Sequence, residues 1–519
     1  MPSKHGVPGS SPGGRIRVTH KYDFMGKNLE IPGAVVSIIS QLHEKNYKAY
    51  PVGGCVRDIL RGEKPKDWDV TTSAKPEEIM QLFPESFCEN KFLTVTVKTQ
   101  LEDPTLKEVE VTTFRAEGKY TDKRHPDEVR FAETLEEDLS RRDFTINAIA
   151  LETYNLQPTN YKLIDPHGGQ DDLEQKLIRA VGDPEKRFTE DALRMLRAVR
   201  LAVQLDFTIE EKTSVAIKKH GGLLEFIAKE RIRDEFIKIV ETSRAREGIE
   251  LLHELGLLRF ILPEVEQGIG VENRPRIFTI WEHNLKAFEY GVKIKFPTDV
   301  CIAALLHDVA KPATKGPMKN NEWTFYGHDV VGGKMATEAL ERLHFPKAVI
   351  EKIAILIRWH LFKYDPDEGV TDSSVRRLIR HVGKENMDDL VKLRICDRMG
   401  MGVPKAVPYR LRHFQFRVEK ILREEEAPTP KMLKVNGGDI MQVLNIAPGP
   451  KVGHVLEVLL QEVIDDPEKN TREHLESRIK ELGELSDEEL IKIANEAESK
   501  VEMTEDERVS GIKAKYYVK

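Results

Sequence analysis

The sequence contains little cysteine and no long apolar segment. Its four cysteines, Cys55, Cys88, Cys301 and Cys396, show neither the paired spacing of a zinc site nor a disulfide framework. No apolar run is long enough to cross a membrane. Residues 1–14 are rich in Gly, Pro and Ser and lack the apolar stretch of a secretion signal. These absences argue against a membrane protein or a disulfide-stapled secreted protein and favour a reducing cytoplasm, with residues 1–28 forming a disordered leader.

The chain also lacks an overall positive charge, since its formal net charge is −7. This argues weakly against a protein that is basic all over, but a nucleic-acid binder needs only a local basic track. The composition, 40% hydrophobic and 32% charged, is that of an ordinary globular protein. A length of 519 residues is too great for one core, so several domains are expected.

The hydrophobic pattern predicts an α+β fold whose strands are confined to the N-terminal part. Strand-like stretches at Ala49–Gly53, Thr94–Lys98 and Val109–Phe114 indicate a small mixed β-sheet with helices over residues 29–165. Helical spacing dominates from Leu173 onward, with few strand signals. We expect helical regions at 166–230, 231–275, 276–400 and 401–485, followed by an acidic tail at 486–519.

The most informative stretch combines a glycine turn with a pair of carboxylates. Gly53 and Gly54 allow backbone amides to approach a ligand, and the helix that follows them suits a triphosphate. Asp67 and Asp69 are spaced i, i+2, which on a strand places both carboxylates on one face. Such a pair can hold the Mg²⁺ ions that phosphoryl transfer needs, activating a hydroxyl and stabilising the leaving pyrophosphate.

Alternatives remain for each of these residues. Asp67 and Asp69 taken alone would fit a loop with solvated charges. Arg57 and Asp58 would also fit a simple ion pair on the helix. Glu110, on a following strand, is a candidate third carboxylate or merely a charge at a strand edge.

Five motifs occur in order along the first half of the chain. They are Gly53-Gly-x-Val-Arg-Asp58, Asp67-x-Asp69, Arg141-Arg-Asp-Phe-Thr-Ile-Asn-Ala148, Asp165-Pro-His-Gly-Gly-Gln-x-Asp-Leu173 and Glu190-Asp-Ala-Leu-Arg194. In this order they resemble the class II tRNA nucleotidyltransferases, a superfamily that includes bacterial poly(A) polymerases. The resemblance implies a nucleotidyltransferase head at 29–165, a neck that recognises the base at 166–230 and body helices at 231–275.

The resemblance also implies roles for matching residues. Asp67 and Asp69 would be catalytic and would hold metal, while nucleotide contacts would come from Gly53, Gly54, Arg57, Arg141, Arg142, Asp143, Asn147, Glu190, Asp191 and Arg194. Adjacent arginines suit phosphates, and Asp with Asn suits sugar hydroxyls. The other interpretation of Arg141 to Asp143 is a helix cap with surface ion pairs.

The Glu190 motif is predicted to lie within one helix that continues through Arg197 and Arg200. Asp191 and Arg194, at i and i+3, could then read the Watson–Crick edge of a base without a nucleic-acid template. The resemblance implies this use, with selection of C and A over G and U. The alternative is a helix-stabilising salt bridge worth only about 0.3 kcal/mol. The basic segment Arg115–Pro126 matches a loop that, in the family, helps to switch specificity from C to A.

A second group of metal-ligand residues lies in the region 276–400. Imidazoles with carboxylates suit transition metals, and an open coordination position would generate hydroxide near neutral pH. The residues are His283, His307, Asp308, His328, His360 and Asp397, with the last three assigned less firmly. They resemble the HD phosphohydrolase superfamily. That resemblance implies a divalent transition metal or Mg²⁺ and hydrolysis of phosphomonoesters or cyclic phosphates, with Lys311 contacting the phosphate.

The last helical region carries a further resemblance. Val435-Asn-Gly-Gly-Asp-Ile-Met441, Gly449-Pro-Lys-Val-Gly453 and Asn470-Thr-Arg-Glu473 resemble the C-terminal module of bacterial CCA-adding and related enzymes. Lys451, near a helix start, could contact RNA phosphate, although simple helical packing would explain the same pattern. With the neck, this region is expected to hold the acceptor and T arms of tRNA by shape and phosphate contact.

These features together predict template-independent addition of C, C and A to the 3′ end of tRNA from CTP and ATP. Closely related alternatives are an A-adding or CC-adding enzyme or a poly(A) polymerase, which a few loop residues would distinguish. A different alternative is a metal-dependent phosphohydrolase whose main activity lies in the HD domain. The oligomeric state is left open.

Overall fold

The computed structural model describes residues 31–89, 94–116, 131–153, 161–274, 277–320, 322–366, 370–403, 405–426, 430–496, 513–515 and 517. The chain forms two compact units, Met1–Ala354 and Ile355–Lys519, and the division falls inside the predicted region 276–400. Three predicted segments lie wholly or mostly outside the described residues. They are the leader, the part of the switching loop that follows residue 116, and most of the acidic tail.

A five-stranded sheet forms the centre of the N-terminal region. Its strands are β1 (Ala49–Pro51), β2 (Asp69–Thr72), β3 (Ser86–Glu89), β4 (Thr94–Lys98) and β5 (Glu108–Thr113). Their spatial order is β1-β2-β5-β4-β3, in which only β2 and β5 run parallel. Alternate residues of β5 are buried, as expected for a strand with one face on the core. The mixed α+β prediction is therefore confirmed.

Helices cover the buried face of this sheet. The apolar side chains of α1, among them Val35, Ile39 and Leu42, pack with strand residues Val95 and Val111 in one core. The helices that belong to this region are α1 (Gly33–Glu44), α2 (Gly54–Leu60), α3 (Pro76–Leu82) and α4 (Leu135–Ser140). Next come β6 (Ala150–Thr153) and β7 (Tyr161–Ile164), which pair antiparallel.

The rest of the first unit is mainly helical. It contains α5 (Gly169–Glu174), α6 (Pro184–Glu190), α7 (Leu193–Leu205), α8 (Glu211–His220), α9 (Lys229–Val240), α10 (Ala245–Glu254), α11 (Pro263–Glu266), α12 (Ile280–Lys293), α13 (Thr298–Leu306) and α14 (His328–Arg342). The helix α15 (Lys347–Trp359) contains the division between the units. A capping box of Thr279 and Glu282 fixes the start of α12.

Three short strand pairs that sequence analysis did not predict lie between these helices. They are β8 (Leu177–Ile178) with β9 (Thr208–Ile209), β10 (Glu272–Arg274) with β11 (Phe278–Thr279), and β12 (Met318–Lys319) with β13 (Glu322–Trp323). Each strand has two or three residues, which is too short to produce a recognisable alternation in the sequence.

The second unit is helical and has its own core. Its helices are α16 (Asp372–Val382), α17 (Met387–Gly400), α18 (Tyr409–Glu426), α19 (Gly437–Leu444), α20 (Pro450–Asp465) and α21 (Arg472–Gly483), and residues 487–496 are also helical. Lys451 donates hydrogen bonds to the carbonyls of Gly483 and Leu485, so in this structure it caps a helix end. Among the described residues, no helix has the length and apolarity that a membrane span requires.

Candidate functional site

The carboxylates of Asp67, Asp69 and Glu110 are among the groups that line one cavity of about 630 Å³ in the N-terminal region. Asp69 begins β2 and is paired in register with Glu110 on the parallel strand β5. Asp67 also lines the cavity, but it lies in the turn before β2, so the prediction that both aspartates lie on the strand is wrong. The chain between Lys66 and Trp68 is a bend, and Asp67 reaches the cavity from that bend.

The electrostatics of the cavity fit a divalent cation. Burial and the neighbouring carboxylates of Glu110 and Asp67 raise the pKa of Asp69 to about 7, while Arg142 and Arg57 act in the opposite direction. This crowding of like charges is the situation that a bound cation relieves. Because all three donors are carboxylate oxygens, the residues fit Mg²⁺ by donor type.

The glycine turn closes one side of the same cavity. Gly53 adopts φ +82°, and its backbone N–H donates to the carbonyl of Ile149 at 3.3 Å. A Cβ at this position would lie 3.0 Å from Nη1 of Arg142 and 3.5 Å from Oδ2 of Asp69. The backbone conformation therefore favours glycine, and a side chain at this position would also crowd the guanidinium of Arg142. Gly54 begins α2 and also lines the cavity.

The arginine motif is held by a carboxylate that sequence analysis missed. Arg141 and Arg142 both contact Asp138, at 2.7 Å and 3.3 Å, and Asp138 is fully buried. Burial opposes ionisation of Asp138, but the two guanidinium groups hold its pKa below the usual value. The spacing of three and four residues within and just after α4 was the available signal. Arg141 and Arg142 are therefore held in place by one buried carboxylate, and they do not form ion pairs confined to the surface.

Polar side chains continue from these arginines to the helix α2. Asp143 accepts hydrogen bonds from Asn147 Nδ2 at 3.3 Å and Arg197 Nε at 2.8 Å. Asn147 Oδ1 in turn accepts from Arg57 Nη1 at 2.9 Å, and Arg57 also pairs with Asp58 at 2.8 Å. Arg57, Asp143 and Asn147 are buried. The structure therefore brings these predicted residues together around one network.

The predicted continuous helix from Glu190 to Arg200 is wrong. The helix α6 ends at Glu190, Asp191 is extended with φ −140° and ψ 103°, and α7 begins at Leu193. Asp191 pairs with Arg231 of α9 at 2.9 Å rather than with Arg194. A break of one or two residues leaves little trace in a hydrophobic pattern, which is judged over a window of about 11–18 residues.

Arg194 connects the neck to the N-terminal motif. Its Nη1 contacts Glu190 Oε2 at 2.9 Å, and its Nη2 donates to the backbone carbonyl of Arg141 at 2.9 Å. Asp191, Arg194 and Arg231 line a second cavity of about 250 Å³ together with Arg141 and Leu193. The two cavities share Arg142, Asp143 and Arg197, so they form adjoining parts of one site.

A second cluster lies around the end of α13 in the first unit. His283 Nε2 lies 3.0 Å from His307 Nε2, and Oδ2 of Asp308 lies 3.3 Å and 3.4 Å from these two nitrogens. His328 Nε2 lies 3.3 Å from Asp308 Oδ1. The three histidines and the aspartate are buried. The predicted grouping of these four residues is therefore observed.

Hydrogen bonds to backbone carbonyls orient the imidazoles of this cluster. His307 Nδ1 contacts the carbonyl of Ala304 at 2.8 Å, and His328 Nδ1 contacts that of Phe325 at 2.5 Å. A proton on Nδ1 leaves Nε2 as the lone-pair nitrogen, which is the form that binds a metal ion. Burial opposes a charge on Asp308, but His307 and Lys311 hold its pKa well below the usual value. This donor set fits a divalent transition metal.

Two further predicted ligands belong to the second unit. His360 is buried, and its Nδ1 contacts the carbonyl of Ile357 at 2.6 Å, the same arrangement as in the first unit. Asp397 lies on α17 and pairs with Arg394 at 2.8 Å. Their participation in a metal site stays a prediction. In the first unit Lys311, predicted to contact phosphate, lies 2.5 Å from Asp308 and donates to Asn273 at 3.0 Å.

Comparison with known families divides the chain into three matched segments. Residues 49–179 match the family described as the poly A polymerase head domain, and residues 206–269 match the probable RNA and SrmB-binding site of polymerase A. Residues 280–399 match the HD domain. The order of the matches is the order predicted from the motifs.

Individual relatives agree with these matches. A CCA-adding enzyme of Lactobacillus helveticus is 46% identical over 215 residues, which are 41% of this chain and 51% of that enzyme. The chain thus spans about half the length of that relative. The solved Bacillus stearothermophilus CCA-adding enzyme in complex with CTP has a TM-score of 0.51 and 28% identity, covering 87% of this chain and 98% of that one.

A third relative covers more of the chain. An A-adding tRNA nucleotidyltransferase of Deinococcus radiodurans is 34% identical over 338 residues, which are 63% of this chain and 75% of that enzyme. With the matched head domain and the adjoining cavities of head and neck, this shows that the chain belongs to the tRNA nucleotidyltransferase family.

Proposed function

We propose that this chain adds C, C and A in turn to the 3′ end of tRNA, in the cytoplasm, using CTP and ATP and releasing pyrophosphate. The observation that carries the proposal is the junction of the two cavities. The carboxylates lie in one, the Asp191 and Arg194 pair lies in the other, and Arg142, Asp143 and Arg197 border both. A nucleotide can therefore place its base in the neck and its phosphates beside the carboxylates.

The carboxylates Asp67 and Asp69, with Glu110 beside them, would hold Mg²⁺. When bound, this ion would favour loss of the proton from the 3′ hydroxyl and stabilise the charge of the leaving pyrophosphate. Arg57 and Arg142 line the same cavity and supply the donors that suit phosphate oxygens. The turn at Gly53 lets the backbone lie close to these groups, because no side chain separates them.

Base selection is assigned to the neck. Asp191 offers acceptor oxygens and Arg194 offers donors toward one cavity, which is the combination needed to read the edges of C and A. Arg231 fixes the Asp191 carboxylate, and Glu190 fixes Arg194. Residues 166–230 and 401–485 are proposed to bind the acceptor and T arms of tRNA.

The test uses tRNA transcripts that end before CCA, after C and after CC. Each is incubated with Mg²⁺ and CTP, ATP or both, and the products are resolved at single-nucleotide length. We expect the shortest transcript to grow by CCA and to stop. An Asp67→Ala, Asp69→Ala chain should add nothing, whereas Asp171→Ala, which changes an exposed aspartate of α5 that does not line the cavity, should retain activity.

Other outcomes identify the related activities. Addition of A only to the CC-ended transcript, or arrest at CC, would show a partial enzyme like the A-adding relative. Long A tails on unrelated RNA would show a poly(A) polymerase. Absence of any extension by a folded wild-type chain would refute nucleotidyl transfer.

A second activity, metal-dependent phosphohydrolysis, is favoured by the oriented Nε2 atoms of His307 and His328 around Asp308. These residues would hold a divalent transition metal, whose bound water supplies hydroxide near neutral pH. We expect Mn²⁺ or Ni²⁺ to raise the melting temperature of the wild-type chain, and His307→Ala to abolish that rise. His344→Ala is the matched control because His344 lies outside the cluster, paired with Glu230.

Hydrolysis is then measured with a phosphomonoester and a 2′,3′-cyclic nucleotide. Activity that depends on His307 but not on Asp67 would assign it to this cluster. Metal binding without hydrolysis would mean that the metal at this cluster has only a structural role. CCA addition, measured with the same preparations, tests the activity of the head separately.

A further inference from the structure

A cavity in the second unit combines aromatic rings with cationic side chains. Its volume is about 430 Å³, and its lining includes the rings of Phe362, Tyr364 and Phe414. The ring centroids of Phe362 and Tyr364 lie 4.5 Å and 5.1 Å from that of Phe414. Phe414 is buried, so the rings of Phe362 and Tyr364, which pack against it, form the aromatic wall of the cavity. A cavity of about 300–1,000 Å³ is the size that encloses a small molecule.

The cavity also carries an excess of positive charge. Four cations line it, namely Lys363, Arg394, Arg398 and Arg410, against one lining carboxylate, Asp365. Two of the arginines have acidic partners. Arg410 pairs with Asp365 at 2.6 Å, and Arg394 pairs with Asp397 at 2.8 Å. The remaining charge belongs to Lys363 and Arg398.

Arg398, unlike Arg394 and Arg410, has no acidic partner among the residues that the structure describes. Its Nη2 donates to the backbone carbonyl of Lys405 at 3.3 Å. Its Nε is buried and has no hydrogen-bond partner within the part of the chain that the structure describes. Because Nε is enclosed by protein, an anion in the cavity would pair with the terminal nitrogens of the guanidinium, for which no acidic partner among the described residues competes. Arg394 and Arg398 are four residues apart on α17 and so lie on one face of it.

We propose that this cavity binds a nucleoside phosphate, with the phosphate at Arg398 and the base against the aromatic wall. Arginine suits phosphate oxygens, and every nucleobase presents a flat face that can stack on a ring. A purely apolar ligand would leave the cations unmatched, and inorganic phosphate would leave the aromatic wall exposed to water. The occupant is either a free mononucleotide or the terminal nucleotide of an RNA strand, since both carry the same chemistry.

This site differs from the nucleotide site of the head. All eleven lining residues belong to the second unit, whereas the head and neck cavities are lined by residues 53–231 of the first. Binding there can therefore be measured in a full-length chain whose neck site is disabled. The double substitution Asp191→Ala, Arg194→Ala provides that background.

The experiment is equilibrium dialysis of this full-length chain with radiolabelled 5′-AMP in EDTA. We expect one equivalent of AMP to bind saturably. Arg398→Met keeps the aliphatic stem and removes the guanidinium, so it should weaken binding by about tenfold or more, as expected for loss of a bond to a charged group. Arg423→Met is the matched control, since Arg423 lies on α18, pairs with Glu419 and does not line the cavity.

Further ligands distinguish the sources. Adenosine and inorganic phosphate should each bind much more weakly than AMP. If the trinucleotide CpCpA binds more tightly than AMP and is equally sensitive to Arg398→Met, the occupant is an RNA end. If AMP binds as tightly as the trinucleotide, it is a free nucleotide.

The proposal is overturned if the chain with Asp191→Ala and Arg194→Ala binds no AMP. It is overturned as well if adding Arg398→Met leaves both the melting temperature and the affinity for AMP equal to those of the Arg423→Met control. It is also overturned if adenosine or phosphate alone matches AMP. CCA addition by an otherwise wild-type Arg398→Met chain, measured on tRNA, tests the head separately from this site.

Discussion

Asp69 and Glu110 are register partners on the parallel strands β2 and β5, so two carboxylates lie side by side on the floor of the head cavity. Sequence analysis left Glu110 undecided between a metal ligand and a charge at a strand edge. The register places Glu110 next to Asp69, and Glu110 is the carboxylate that contributes most to the raised pKa of Asp69. This favours a role in holding Mg²⁺.

We therefore predict that Glu110→Gln lowers the affinity for Mg²⁺ and the rate of nucleotide addition by about 10–100-fold. Without metal the same variant should melt at a higher temperature than the wild type, because the repulsion with Asp69 is removed. Mg²⁺ titrations of activity and of melting temperature check both parts. Glu108→Gln, on the same strand and outside the cavity, is the control and should change neither.

The turn at Gly53 predicts a contrast between two adjacent glycines. Gly53→Ala places a Cβ 3.0 Å from Arg142 at φ +82°, so we expect a loss of about 1–2 kcal/mol in stability and a large loss of activity. Gly54→Ala meets only Arg57, at 3.7 Å, and lies in a helix, so its stability should stay near that of the wild type. Denaturation curves and single-nucleotide extension assays compare the two. Equal effects of the two substitutions would contradict this account of the turn.

The pair of Asp191 and Arg231 predicts how the neck controls base choice. Arg231→Met removes the partner that fixes the Asp191 carboxylate, so KM for CTP and ATP should rise by about tenfold, while kcat changes less. UTP and GTP should be incorporated more often. Arg231→Lys should restore part of the discrimination because it keeps the charge.

The matched control is Arg233→Met on the same helix. Arg233 pairs with Asp234 and does not line the cavity, so its KM values should stay unchanged. A normal KM and normal fidelity in Arg231→Met would show that Asp191 needs no support from α9.

Much of the site was predictable because its motifs are local. The glycine turn, the Asp67 and Asp69 pair and the arginine motif are each contiguous in sequence, and the fold brings them to one cavity. The strands Thr94–Lys98 and β5 were predicted within a residue because valine alternates with polar residues along each of them, although only the burial of β5 alternates as well. Local patterns of this kind carry their own structural signal.

The rest depends on contacts between distant segments. Arg231 lies 40 residues after Asp191 in the sequence. The sequence of its helix α9 is equally compatible with a charged face exposed to solvent, so it did not indicate a contact with Asp191. At the helix break Asp191 pairs with Arg231 and also accepts a hydrogen bond from the backbone N–H of Leu193 at 3.0 Å. The second contact is local, and an aspartate at this position was the available signal for the start of α7. Asp138 was overlooked because a buried acid resembles an exposed one in sequence, although its spacing from Arg141 was visible.

The ion pair of Asp143 with Arg197 predicts a dependence on pH. Burial would raise the pKa of Asp143, but Arg197 and the bond from Asn147 hold it well below the usual value. Such a carboxylate stabilises the fold above its unfolded pKa of about 3.9, and this stability is lost as the pH falls toward its folded value. In Arg197→Met the effect of burial on the pKa of Asp143 is less opposed, so this pKa should be higher than in the wild type. Asp143 should then protonate more readily, and the variant should lose less stability than the wild type as the pH falls.

We predict that Arg197→Met is less stable than the wild type by about 2 kcal/mol at pH 7, below the full loss for a buried pair because Arg197 keeps 35% of its side chain exposed. Denaturation midpoints at intervals between pH 7 and pH 4.5 should show this gap narrowing. The double variant Arg197→Met, Asp143→Asn should recover part of the stability at pH 7 and lose the pH dependence of the gap. A gap of constant size across this range would mean that the charge of Asp143 is not its source, and that Arg197 acts through packing alone.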